Sequence, residues 1–171
     1  MFSRITLTAS LLLSVLLGQN KPAPKTPDFT DYPVSAIFHG APAAPKLSTP
    51  GQRMFRTMIR QGAAKGANFA GHYAIAEWGC GTACVQIAVV DIQSGAVYEG
   101  PFGTLPKAYI AYGTNPEDIE TGILYRPDSE LFVARGCPSD QQPGTYYYRW
   151  AGSAFTLLRR IPLKPWEGCG A

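Results

Sequence analysis

The stretch that decides the fold is residues 73–98, YAIAEWGCGTACVQIAVVDIQSGAVY. Residues 73–78 alternate between two sets of side chains, which is the pattern of a β-strand. Residues 85–90 form a short valine-rich run, typical of a strand that is buried on both faces. The turn formers of residues 91–95 end in a glycine suited to positive φ, so they predict a hairpin that returns through residues 96–98.

Two further hairpins follow downstream. Residues 123–125 and 131–134 flank the turn formers Pro127 and Asp128. The small residues 151–153 predict a turn between residues 146–150, YYYRW, and residues 154–158. The expected chain is therefore a series of antiparallel hairpins.

Upstream of these strands, the sequence predicts one helix. Thr49 can cap it, Pro50 suits its first turn, and the spacing of Phe55, Met58 and Ile59 indicates a buried stripe. The expected fold is α+β and mainly antiparallel β, with this N-terminal helix packed on a sheet of about seven strands in successive hairpins.

The N-terminal residues, MFSRITLTASLLLSVLLGQN, predict export. Arg4 precedes an uncharged run, residues 5–17, that is shorter than the roughly 20 residues of a membrane-spanning helix. We therefore expect residues 1–18 to be a signal peptide and the mature protein to be periplasmic or secreted, not integral to the membrane. Residues 19–48 predict a proline-rich extended leader, in which residues 32–38 could form an edge strand. Residues 49–171 predict a single domain.

Export gives the four cysteines a structural interpretation. An even number of cysteines in an exported chain predicts disulfides, and four cysteines allow three pairings. We favour Cys80–Cys84, which closes a small flexible loop, together with Cys137–Cys169, which fastens the C-terminal tail. Crossed pairings also fit the sequence.

Two other interpretations of the cysteines need more than the sequence offers. A nucleophilic Cys80 or Cys84 needs a base within hydrogen-bond reach, and on one strand His72 and Cys80 would lie roughly 26 Å apart. A zinc site on His72, Cys80 and Cys84 lacks the usual short cysteine pair and the second paired element. The sequence therefore predicts no complete catalytic group, no metal site and no cofactor.

The charged residues are unevenly distributed, although the net charge is only +3. Residues 1–65 contain eight Lys/Arg and two Asp/Glu, and residues 66–171 contain seven and ten, which gives +6 and −3. We expect the two parts to neutralise each other on folding, and this balance predicts no nucleic-acid partner. Arg53, Arg56 and Arg60 recur at helical spacing and form either a solvated face or an anion-binding face.

Several other side chains are candidates for binding or chemistry. We take His72, Tyr73, Glu77 and Trp78 as candidate binding residues, together with the three arginines. The aromatic set, which is either part of the core or a platform for a sugar or a partner, consists of Tyr146, Tyr148 and Trp150. The acidic set, which is either a solvated loop or a pair for glycoside hydrolysis, consists of Glu117, Asp118 and Glu120.

Part of the chain resembles a known group of proteins. NFAGHY at residues 68–73, WGCGT at residues 78–82, Cys84, and the turn with Asp91 and Gly95 resemble small exported bacterial proteins that share an NFAGHY…WGCGT.C pattern. The resemblance covers roughly residues 50–160. It implies export and a single domain, and it assigns no activity and no catalytic residue.

Three functions fit these observations. The first is a non-enzymatic binding or inhibitor-like module for a protein or glycan of the cell envelope. The second is a hydrolase acting on cell-wall material through Glu77, His72 or Cys80. The third is an accessory subunit whose aromatic and arginine faces dock a partner.

Overall fold

The computed structural model describes residues 25–81, 84–106, 122–139 and 141–163, and these form two antiparallel β-sheets of four strands each. The predicted antiparallel β-structure is thus confirmed, but the prediction of a single sheet is wrong. The apolar residues lie on both faces of the strands, and stacking two sheets buries the inner faces against each other. The strands are β1 (Tyr73–Gly79), β2 (Cys84–Asp91), β3 (Val97–Glu99), β4 (Leu105–Pro106), β5 (Gly122–Tyr125), β6 (Leu131–Gly136), β7 (Gly144–Trp150) and β8 (Phe155–Pro162).

The first sheet is centred on β2. Strand β1 pairs along one side of β2, from Tyr73↔Asp91 to Gly79↔Val85. The other side of β2 is shared, because β4 pairs with Cys84 and Val85 while β3 pairs with residues 88–90. The strand pairing on this side is therefore interrupted at residues 86 and 87.

The second sheet is a simple meander of β5, β6, β7 and β8. The predicted turn residues lie in its β5–β6 and β7–β8 connections. The pairing of β7 with β8 contains one irregularity, between Tyr147 and Tyr148.

Alternation along the strands divides the interior into layers. Ile75, Val89, Phe132 and Trp150 belong to a large cluster that joins the inner faces of the two sheets. The outer face of the first sheet packs with helical residues around Ile59. The outer face of the second sheet packs with the N-terminal segment around Phe29.

The predicted helix is divided into α1 (Pro50–Met54) and α2 (Arg56–Ala63). Thr49 caps α1 as predicted, and the Gln52 side chain completes the capping box. The predicted buried stripe is partly wrong, because Met58 is 44% exposed while Ile59 is buried. Helix α2 approaches β1 closely at Gly62, where a Cβ atom would lie 2.4 Å from the Ala76 Cβ.

The motif at residues 68–73 has a structural role. The Asn68 side chain accepts a hydrogen bond from the Ile75 N–H (2.7 Å) and donates one to the Ile75 C=O (3.2 Å), so it pairs the edge of β1 as a neighbouring strand would. Phe69 is fully buried among the aromatic rings between the sheets. Ala70 and Gly71 both adopt positive φ, and their N–H groups donate to carbonyls at residues 126–129. This turn therefore joins the start of β1 to the second sheet.

The described part of the predicted leader follows the surface of both sheets. It begins with a 3-10 turn, Phe29–Asp31, and it contains an isolated bridge between Pro33 and Ser129 where an edge strand was predicted at residues 32–38. The signal-peptide prediction lies outside the described residues. No helix in the described ranges is long and apolar enough to cross a membrane.

Candidate binding clefts

The first candidate site is a cleft of about 400 Å³ between the helices and the first sheet, which we call the helix–sheet cleft. Its lining consists of Gly51, Gln52, Phe55 and Ile59 on the helical side, Trp78 and residues 86–88 on the strands, and residues 99–103. Ile59, Ile87, Ala88 and Phe102 are buried, so the floor of the cleft is apolar.

Trp78 forms one wall of this cleft together with Phe55. The two rings stack with centroids 4.9 Å apart, and both side chains remain partly exposed. The Trp78 indole N–H donates to the Gln86 Oε1 atom at 2.9 Å across the β1–β2 pair. This bond fixes the ring, and the Gln86 amide nitrogen has no hydrogen-bond partner among the described residues. This Gln86 nitrogen is available to donate a hydrogen bond to a ligand.

Gln52 also lines the cleft, but its amide is already used. Its Oε1 atom accepts from the backbone N–H groups of Ser48 (2.8 Å) and Thr49 (3.3 Å), and its Nε2 atom donates to the Val97 C=O. Gln52 therefore fastens α1 to β3. The charged side chain in the lining of the cleft is that of Glu99, whose carboxylate is exposed.

The interruption beside β2 contributes to the cleft. Gly100 crosses the interruption so closely that a Cβ atom there would lie 2.6 Å from the Ile87 side chain. The backbone of Ile87 alternates with that of residues 86 and 88, so its N–H and C=O face the side where neither β3 nor β4 pairs with it. Gly100 therefore covers the buried Ile87 on this side of β2.

Two exposed methionines border the helical wall. Met54 is 73% exposed and Met58 is 44% exposed. Met54 lies three residues after Gly51 in α1, and Met58 lies three residues after Phe55 at the start of α2, so helical spacing places each methionine beside a residue that lines the cleft. We call Met54 and Met58 the methionine rim.

The second candidate site, the end cleft, has a volume of about 720 Å³ and contains the predicted residues His72 and Tyr73. Most of its polar groups already have partners: the Tyr73 hydroxyl donates to the Gly152 C=O at 3.0 Å, and Arg149 pairs with Glu130 at 2.8 Å. Burial raises the pKa of Tyr73, and the neighbouring Trp150 indole opposes the shift. The Trp150 N–H is buried and has no hydrogen bond of normal geometry among the described residues.

Glu77 lies on the other face of β1 from Trp78, because neighbouring residues of a strand point to opposite faces. Its carboxylate accepts a hydrogen bond of 2.6 Å from the Tyr125 hydroxyl. Burial, and then the Glu77 charge, raise the pKa of Tyr125 well above its ordinary value. Neither cleft is lined by Glu77 or Cys80, so the described clefts do not bring the residues of the hydrolase hypothesis together.

The disulfide that we favoured at the β1–β2 hairpin is present. Cys80 and Cys84 are bonded, with their Cα atoms 5.3 Å apart. Cys80 therefore offers no thiolate as a nucleophile or as a metal ligand in this state. Cys137 is also disulfide-bonded, and its predicted partner, Cys169, lies outside the described residues.

The three helical arginines are exposed and line neither cleft. The Arg53 guanidinium donates to the Ser48 C=O, and that of Arg56 donates to the Arg53 C=O. At 100° per residue, Arg56 and Arg60 lie about 160° around α2 from Met58, and Arg53 lies about 100° around α1 from Met54. The predicted site residues therefore do not form a single site.

The aromatic set on β7 belongs to the core. Tyr146, Tyr148 and Trp150 are at most 5% exposed and lie between the sheets, so they form no surface platform. The acidic set at residues 117–120 lies outside the described residues. Sequence reasoning found Trp78 but missed Phe55, Gln86 and Glu99 as its neighbours in the helix–sheet cleft. The hairpin register, which places Gln86 opposite Trp78, could have identified Gln86, whereas Phe55 and Glu99 lie on other elements.

No protein-family model, curated protein or solved structure matches this chain. The geometry of the clefts is therefore the basis for a functional proposal.

Proposed function

We propose that the chain is an exported binding module whose helix–sheet cleft receives a bulky apolar side chain of a partner protein. The stacked Phe55–Trp78 pair over an apolar floor is the observation that carries this proposal. Aromatic-lined pockets that bury a single anchor side chain supply most of the affinity in many protein interfaces.

The surroundings of the cleft favour a protein over a neutral sugar. The methionine rim is apolar and flexible, which suits a surface that adapts to side chains. The Gln86 amide can pair with the backbone next to the anchor. The end cleft is less suitable, because its ion pair and its tyrosine hydroxyl are already bonded to the protein.

Export is the second part of the proposal. The signal-like N-terminus and a disulfide at an exposed hairpin both favour an oxidising compartment, either the periplasm or the exterior. The resemblance to small exported bacterial proteins favours the same location. A partner in the cell envelope follows from this proposal.

The test is a selection of random 12-residue peptides on the purified disulfide-bonded protein. We expect the selected peptides to share one aromatic or large aliphatic residue. Trp78→Ala should weaken binding of a selected peptide about tenfold or more, because loss of one buried anchor contact costs roughly 1.4 kcal/mol or more. Fluorescence anisotropy with a labelled peptide measures this change.

The matched control is His72→Ala, which alters the end cleft and should leave the affinity unchanged. Circular dichroism and a thiol count verify that each variant is folded and oxidised. Equal peptide binding by Trp78→Ala and the wild type would overturn the proposal. So would Trp78-dependent binding of a glucose or N-acetylglucosamine hexamer without any enriched peptide, because the occupant would then be a sugar.

A further inference from the structure

The segment that contains the two helices carries a set of positive charges that form no ion pair among the described residues. Residues 32–76 contain five Lys/Arg and no Asp or Glu. All five are exposed: Lys46, Arg53, Arg56, Arg60 and Lys65. We call this set the basic face.

The positive charges of the basic face are not neutralised within the described part of the chain. The ion pairs there join Lys25 to Asp31 and Arg149 to Glu130, and neither involves the basic face. Arg53 and Arg56 donate to backbone carbonyls, which carry no full charge.

We infer that the partner segment is acidic as well as apolar. This inference rests on the proposed function. The exposed surface of α2 has Met58 of the methionine rim on one flank and Arg56 and Arg60 on the other, about 10 Å across the helix. A segment anchored in the cleft and crossing the rim comes within reach of the arginines, whose planar forks suit carboxylates.

The position of Glu99 fixes the direction of such a segment. Its exposed carboxylate lies on the wall formed by residues 99–103. Acidic side chains on the partner would be repelled from that wall and attracted to the basic face. The acidic residues should therefore flank the anchor on the side that crosses the helices.

The experiment compares peptides from the 12-residue selection with the unselected library. We expect enrichment of Asp and Glu on one side of the apolar anchor. For one such peptide, Arg56→Gln/Arg60→Gln should weaken binding about fivefold, and raising NaCl from 50 to 500 mM should weaken wild-type binding by a similar factor. The charge-matched control is Lys25→Gln/Arg160→Gln, which alters exposed cations outside the helical layer and should leave the affinity within about twofold.

The outcomes separate this inference from the proposed function. If Trp78→Ala abolishes binding but the selected peptides are neutral or basic, the cleft is an anchor site and the acidic partner is overturned. Unchanged affinity of an acidic peptide for Arg56→Gln/Arg60→Gln overturns it as well. If Trp78→Ala binds as the wild type does, the proposed function itself fails.

Discussion

Asp91 shows how a single residue sets the geometry of a turn. It ends β2, and its carboxylate accepts hydrogen bonds from the backbone N–H groups of Gln93 (2.9 Å) and Ser94 (3.3 Å) and from the Ser94 hydroxyl (2.6 Å). Burial alone would raise the pKa of Asp91, but these hydrogen bonds outweigh burial and lower it. The folded structure therefore stabilises the ionised Asp91 carboxylate relative to its protonated form.

This preference makes the contribution of Asp91 dependent on pH. A carboxylate with a lowered folded-state pKa stabilises the protein above its unfolded pKa of about 4, and this contribution is lost as the pH falls through the folded pKa. We expect Asp91→Asn to lower the free energy of unfolding by about 1 kcal/mol at pH 7 and by less at pH 2.5. Urea unfolding of both proteins at each pH measures the difference.

Asp128→Asn is the control, because Asp128 is an exposed turn residue whose side chain accepts no hydrogen bond within the described residues. Its effect should be small at both pH values. A difference between Asp91→Asn and wild type that stays constant from pH 7 to pH 2.5 would contradict the proposed role of the charge.

At the scale of elements, the contact between α2 and β1 depends on a glycine. A Cβ atom at Gly62 would lie 2.7 Å from the Ala76 backbone Cα and 2.4 Å from its Cβ, and neither can rotate away. Helix propensity favours alanine over glycine by about 1 kcal/mol, but overpacking typically costs 1–3 kcal/mol. The steric effect should therefore be the larger one.

We expect Gly62→Ala to lower the free energy of unfolding by about 1–2 kcal/mol, as measured by urea unfolding at pH 7. Gly51→Ala is the matched control in α1, where the new Cβ would meet its nearest atom only at 3.9 Å. It should be neutral or slightly stabilising, because only propensity acts there. Equal destabilisation by both variants would show that the close approach is not what matters.

The elements differ in how well the sequence predicts them. The turn at residues 91–95, the buried strand at residues 85–90 and the Thr49 cap follow from local chemistry, and the structure confirms all three. The division of the helix at Phe55 is not a local property. Phe55 turns toward Trp78, and that contact exists only after the hairpin has folded. The same holds for the cleft, which joins residues that are distant in sequence.

The arrangement of the strands illustrates the same limit. Alternation predicts which residues share a face of one strand, and it correctly separates Tyr147 from Tyr146 and Tyr148. It does not predict which strands share a sheet, because an apolar face can be buried by another sheet or by a helix equally well. One sheet of successive hairpins and two stacked sheets have the same local pattern.

At the scale of the whole molecule, the N-terminal segment connects the two sheets. Its backbone N–H groups at Val34 and Lys46 donate to Asp128, in the turn between β5 and β6, and to Gly95, in the turn between β2 and β3. The Ser129 hydroxyl donates to the Phe29 C=O at 2.8 Å. Sequence reasoning expected an extended leader because the segment has no periodicity, and these contacts are dispersed single bonds that no pattern encodes.

Phe29 is the main apolar contact of this segment. It is 4% exposed, it packs with Leu131, Val133 and Tyr147, and the Arg126 guanidinium lies 4.4 Å from its ring centroid. Replacement of a buried phenylalanine by alanine typically costs 3–5 kcal/mol. The outermost layer can relax more than a central one, so we expect about 3 kcal/mol for Phe29→Ala.

The arrangement of the layers predicts that Phe29→Ala changes stability without changing the helix–sheet cleft. Phe29 covers the outer face of the second sheet, whereas the helix–sheet cleft lies on the outer face of the first. Phe29→Ala should therefore lower the urea midpoint, monitored by circular dichroism and by tryptophan fluorescence, while the folded variant binds a selected peptide with wild-type affinity. Thr30→Ala, an exposed change in the same turn, should shift the midpoint much less. If Phe29→Ala leaves the midpoint unchanged, the N-terminal segment does not contribute to the stability of the core, and the sheets are held together by the aromatic cluster between them.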